Sequence, residues 1–142
     1  MPLLPRKSVL AIAAVIDVAL NANGRPVAAK ALAQRHRLPP RHLEPVLQAL
    51  VRHRILKGIR GPRGGYELAK DRRFISAEDI LRAAGAAEEI EGTELAESSL
   101  VNDIVMPALG LAETAFASAL ARINVDDLAR SAEGLKSRPA LG

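Results

Sequence analysis

No cysteine occurs anywhere in the 142 residues, which excludes disulfides, thiolate-held metals and a cysteine nucleophile together. The redox compartment stays open, although the absence fits the cytosol. Tryptophan is missing too, and one tyrosine with two phenylalanines is the whole aromatic complement. Such a core must be built from Leu, Ile, Val and Ala, which suits closely packed helices rather than a deep ring-lined pocket. There is no GxxxxGK[ST] loop and no GxGxxG. No Ser/His/Asp set, carboxylate pair or metal-ligand spacing stands out either, so the chain reads as a non-enzyme without a cofactor. The apolar run from Val9 to Leu20 is broken by Asp17 and falls short of the roughly 20 residues a membrane span needs. Arg6 and Lys7 ahead of it give the outline of a signal peptide. Asp17 and the basic module that follows favour a buried first helix instead, in a cytoplasmic, nucleoid-associated protein.

Charge is unevenly placed. Residues 1–75 hold 15 Lys and Arg against 4 acids, a balance of +11, whereas residues 76–142 hold 5 basic against 12 acidic residues. A basic half joined to an acidic one predicts a polyanion-binding surface in the first and a different task for the second.

Pro5 suits a first helical position, and the spacing predicts a helix from about Arg6 to Leu20, closed by Asn21, Asn23 and Gly24. A short alanine-rich helix over Val27–Arg37 follows, then the breaker Leu38-Pro39-Pro40. From there Leu43, Val46, Leu47, Leu50 and Val51 recur at the spacing of one helical face, with Arg41, Glu44, Pro45, Gln48 and Arg52 opposite. Pro45 is expected to kink this third helix or delay its regular part, at about 3 kcal/mol if unrelieved. Two helices joined by a short turn give the outline of a helix-turn-helix.

The stretch GIRGPRGGYEL, residues 58–68, is unlike the rest of the chain. Ile55–Ile59 is short and β-branched, Tyr66–Leu68 alternates, and Gly61-Pro62-Arg63-Gly64 has the pattern of a type I turn. A hairpin is predicted, with Tyr66 and Leu68 on one face and Arg63 displayed at its tip.

Ser76-Ala-Glu-Asp79 has the spacing of a capped helix start, and a short fourth helix runs to Ala84. Glutamates 88, 89, 91, 94 and 97 then mark a solvated loop; carboxylates could hold a hard cation there, which is the less favoured reading. The apolar positions from Leu100 to Ile123, among them Ile104, Leu111, Phe116, Leu120 and Ile123, form a broad stripe, with a bend expected at Pro107 and Gly110. A helix so apolar, after a core has been supplied, calls for a partner. A last helical turn at Val125–Leu128 and a frayed tail from Ser131 complete the reading.

The fold class is therefore mainly α with a small β-hairpin. It comprises a winged helix-turn-helix domain (1–84), an acidic connecting loop (85–99), a dimerisation arm (100–130) and a flexible tail (131–142). The segments LEPVL (43–47) with Leu50, RGPRGGYELA (60–69) and SAEDI (76–80) resemble the Rrf-two family of bacterial winged helix-turn-helix regulators. The resemblance runs from the first helix to about residue 84 and, more loosely, over the late helices. It implies a homodimeric, sequence-specific DNA-binding transcriptional regulator, a repressor by analogy, on a roughly palindromic operator. In that match Arg41, His42, Glu44 and Gln48 meet the major groove and Arg63 the minor groove, while Arg52, Arg54, Lys57, Arg60, Arg6 and Lys7 touch phosphates. Many family members hold an iron-sulfur cluster on three cysteines; this chain has none, so a thiolate-ligated cluster is excluded. An effector, small molecule or protein, is implied without its chemistry. The competing reading is a winged module that binds RNA or a protein without operator preference.

Overall fold

Helix α1 (Arg6–Asn21) buries Ala11, Ala14, Val15 and Val18 completely, the small and branched side chains a crowded central helix needs. The computed structural model describes residues 6–21, 24–85 and 100–137; the acidic segment 86–99, Pro5, Asn23 and the last five residues lie outside that range. Helices α2 (Ala29–Arg35) and α3 (Pro40–Arg52) form the helix-turn-helix. Pro40 opens α3 at its first turn, where a missing N–H costs nothing. The helix then continues through Pro45 to Arg52 as one element, so the late start expected from Pro45 does not occur.

Both helices end in the same way. Arg37 N–H donates to the Gln34 carbonyl (3.3 Å) and Leu38 N–H to that of Ala33 (3.0 Å). At the end of α3, Arg54 N–H donates to Val51 (3.0 Å) and Ile55 N–H to Leu50 (2.9 Å). These paired bonds close each helix through a left-handed residue, a place glycine usually takes. Here the residues are Arg37 (φ 54°) and Arg54 (φ 60°), at a conformational cost of about 1–2 kcal/mol each.

Strands β1 (Leu56–Ile59) and β2 (Gly65–Leu68) pair antiparallel, Leu56 opposite Leu68 and Gly58 opposite Tyr66. Gly64 N–H donates to the Gly61 carbonyl at 2.9 Å, closing the expected four-residue turn. The hairpin also gains a third partner: Val27 and Tyr66 exchange both backbone hydrogen bonds at 2.8 Å, tying the wing to the segment ahead of α2.

Ser76 and Asp79 cap α4 (Ala77–Gly85) reciprocally: Asp79 N–H donates to Ser76 Oγ and Ser76 N–H to Asp79 Oδ2, both at 3.1 Å. After the undescribed segment, a π-helical turn (Val101–Val105) leads into α5 (Met106–Ala121). The late helix is therefore interrupted just before Pro107, where wider winding meets a residue without a donor. Helix α6 begins at Val125, its first turn capped by Asn124 Oδ1 on the Asp127 N–H (2.8 Å), and runs to Ser137. It is longer than the single turn expected, and Ser131–Ser137 is helix rather than frayed tail.

The core joins both ends of the described chain. Val125 of α6 belongs to one core with residues from α1 to α4, and Ala129 is buried as well. Ala77 N–H donates to the Ile123 carbonyl and Val125 N–H to that of Ile75, both at 2.8 Å, so the start of α6 is stitched to the segment before α4. Every fully buried large side chain is aliphatic, as the scarcity of rings requires.

Candidate nucleic-acid interface

Burial of Leu43, Val46, Leu47 and Leu50 fixes the rotation of α3. Its other face carries Arg41, His42, Glu44, Gln48 and Arg52, all exposed. The helix is held against the body through α2, whose Arg35 grips Asp17 of α1 with Nε to Oδ2 at 2.9 Å and Nη2 to Oδ1 at 2.6 Å. His36 Nε2 lies 3.1 Å from Asp17 Oδ2, and Asn21 Nδ2 donates to Oδ1 at 3.0 Å. Asp17, which interrupts an otherwise apolar helix, is thus the polar anchor of the helix-turn-helix, buried yet fully partnered. The hydrogen bond from Arg35, with the Asp17 charge, raises the guanidinium pKa above its ordinary value.

The predicted residues fall into two groups and some outliers. Lys7 from α1 and Arg41 and His42 from α3 line one groove of about 780 Å³, with His36, Leu38 and Pro45. Gln48 and Arg60 line a second, smaller cleft between α3 and the wing, floored by Tyr66 and glycine backbone. Arg63 sits exposed at the turn of the hairpin, and Glu44 and Arg52 border neither cavity. Burial, and secondarily the Glu44 carboxylate, raises the Tyr66 pKa and keeps the phenol neutral.

Pairing separates two classes of cation. Arg35, Arg72, Arg73, Arg82 and Arg130 are each paired with an acid: Arg72 with Asp126 at 2.7 Å, Arg73 with Asp71 at 3.0 Å. Among the described residues, Arg41, Arg52, Arg60 and Arg63 form neither an ion pair nor a side-chain hydrogen bond. The unpaired set includes these four on α3 and the wing, and also Arg6, Arg25, Lys30, Arg54, Lys70 and Arg122 elsewhere on the surface. Arg37, which the sequence reading passed over, also belongs to it; an arginine just past a helix end, where glycine or asparagine is usual, was the available signal.

Of the residues assigned to the arm, Ile104 (63% exposed) and Leu111 (77%) stand clear of the body and Ile123 is partly so, while Phe116 and Leu120 are half-buried. Among the described residues no helix is long and apolar enough to cross a membrane.

Comparison with known proteins agrees with this architecture. The profile of the Rrf2 family, described as an iron-dependent transcriptional regulator, matches residues 4–131. The HTH-type transcriptional regulator IscR of Escherichia coli is 31% identical over 90 residues, 63% of this chain and 54% of that protein. A protein of Synechocystis named as an HTH-type transcriptional regulator is 40% identical over 80 residues, 56% of this chain and 54% of its own length. The match thus spans about half the length of these curated relatives. Among solved structures, IscR of T. potens superposes with a TM-score of 0.71 at 25% identity, covering 96% of this chain and 93% of the other. CymR of B. subtilis, titled the global cysteine regulator, gives 0.68 at 25% identity over 90% of this chain and 96% of that one.

The donor set does not fit a thiolate-held iron centre: the chain has no cysteine, and among the described residues no three of His, Cys, Asp and Glu come together. With a helix-turn-helix, a glycine-rich wing and a profile match over nearly its whole length, the chain belongs to the Rrf2 family of winged helix-turn-helix transcriptional regulators.

Proposed function

We propose that the protein is a sequence-specific DNA-binding repressor that acts in the cytoplasm, at the nucleoid, as a homodimer without an iron-sulfur cluster. The observation that carries this reading is the unpaired, exposed set on α3 and the wing: Arg41, His42, Gln48, Arg52, Arg60 and Arg63. In a major groove, arginine pairs bidentately with guanine, glutamine with adenine, and Glu44 accepts from a cytosine amine. Arg63, at the wing tip, enters the minor groove, where a narrow A·T-rich segment holds a guanidinium by its enhanced negative potential. Arg52, Arg60 and Lys7 contact phosphates and set register. The exposed Ile104, Leu111 and Ile123, with Phe116 and Leu120, form the seam against a second copy, which spaces two recognition helices one helical turn apart.

Titration of labelled duplex, single-stranded DNA and RNA at two salt concentrations tests the reading. Preference for certain duplex sequences with a steep salt dependence is expected. Equal binding to RNA, or to all duplexes, favours the competing reading instead. Arg63→Ala is expected to weaken binding to the selected duplex about tenfold or more, as loss of one groove contact does, without altering the thermal unfolding curve. Unchanged affinity removes the wing from recognition.

A further inference from the structure

The two left-handed arginines are an anomaly of both geometry and charge. Each occupies the position just beyond a helix end that a glycine fills without strain. Each is exposed, and among the described residues neither forms an ion pair or a side-chain hydrogen bond. The fold does pair arginines where an acid is near: Arg35, two residues before Arg37, is locked onto Asp17. Retention of a costly backbone state at an unpaired surface cation, twice, on either side of the same helix, points to a contact made outside the chain.

Their placement identifies that contact. Arg37 lies three residues before Pro40 and Arg54 two residues after Arg52, so the pair brackets α3. A helix of 13 residues is about 20 Å long, whereas the major groove is about 12 Å wide. A recognition helix lying across that groove carries its ends over the two backbones that wall it. Arg54 also shares a shallow groove beside the wing with Lys70 and with Lys57, whose Nζ lies 3.9 Å from Glu67 Oε1.

We propose that Arg37 and Arg54 are a pair of phosphate clamps, one at each end of the recognition helix, held in a left-handed conformation at the expense of folding stability. The proposal rests on the DNA-binding reading; it adds Arg37 to the phosphate contacts and gives Arg37 and Arg54 alike an antagonistic role, since they weaken the folded state and strengthen the complex. Phosphate contacts carry no sequence information, so both should act equally on any duplex.

The test uses the full chain, a duplex of about 30 base pairs selected from a randomised pool, and an unselected duplex of equal length. Arg37→Gly and Arg54→Gly are each expected to raise Tm by about 2 °C. Each variant removes one contact per protomer and so two per dimer; it should weaken binding roughly sixtyfold at 0.1 M salt on both duplexes and lower the slope of log affinity against log salt by about two. Arg37→Lys and Arg54→Lys should keep the slope and gain no Tm. Glycine variants with wild-type affinity and slope would overturn the clamp while leaving the DNA reading intact, as would a loss confined to the selected duplex. A fall in Tm overturns the conformational cost. A wild-type chain that binds no duplex overturns the DNA reading and this inference with it.

Discussion

At the scale of single residues, dense glycine raises one question: must the chain turn, or must it approach something closely? The wing requires both, at neighbouring positions. A Cβ on Gly64 would lie 2.1 Å from the Ile59 carbonyl oxygen across the turn, and one on Gly65 2.4 Å from that of Val27. Gly58, in the same stretch, has nothing within 4 Å. Gly65→Ala is therefore expected to cost about 2 kcal/mol or more, because backbone and not a flexible side chain must shift. Gly58→Ala should stay within about 0.5 kcal/mol. Chemical denaturation of the two variants measures this, and equal midpoints would contradict it. The turn was legible from Gly61-Pro62-Arg63-Gly64. The approach to Val27 was not, because it depends on a residue some forty positions earlier.

At the scale of elements, local rules did well where the determinants lie within a few residues. The apolar spacing of α3 gave its buried face, and Ser76 with Asp79 gave the start of α4. Removing that cap with Ser76→Ala should cost about 1 kcal/mol, read as a lower denaturation midpoint with unchanged slope; an unaltered midpoint would mean water replaces the hydroxyl. Local rules did less well at α5: the bend expected at Pro107 and Gly110 takes the form of a π-helical turn just before Pro107, and α5 then runs through Gly110 as one element. Leu111 at 77% exposure and Ile104 at 63% leave that region's apolar surface uncovered in a single copy. Leu120→Asp or Phe116→Asp is expected to give folded monomers that bind DNA at least tenfold more weakly, because one half-site then binds alone. Light scattering that shows an intact dimer would count against the seam.

At the scale of the molecule, the strand-like stitch between Ile75 and Val125 fixes the start of α6 beside α4, and α6 packs on α1. A change in α6 is therefore a change in the core under the helix-turn-helix. Val125→Ala, at a fully buried site, should lower overall stability by about 2 kcal/mol in a single cooperative transition. A separate early transition of α6 would show that it is not part of the core. The same junction responds to acid. The hydrogen bond from Arg72, then Arg130, holds the Asp126 carboxyl below its usual 3.8. A folded pKa below the unfolded one gives stability that is fully present above the unfolded value and lost as pH falls through the folded one. Asp126→Asn should therefore lower Tm near neutrality, with the gap to wild type closing below about pH 4. A gap independent of pH would make Asp126 a packing residue only.

The order of helices, the hairpin, the buried face of α3 and the charge division followed from the sequence alone, because helical periodicity, turn chemistry and net charge are set by near neighbours. Tertiary structure alone decided which polar residues serve the fold and which stay free. Asp17 finds Arg35 and Arg72 finds Asp126 across 18 and 54 residues, whereas Arg37 and Arg54 are forced into a left-handed turn with no acid paired to them. Those assignments depend on distances between segments remote in the chain, and no local pattern encodes them.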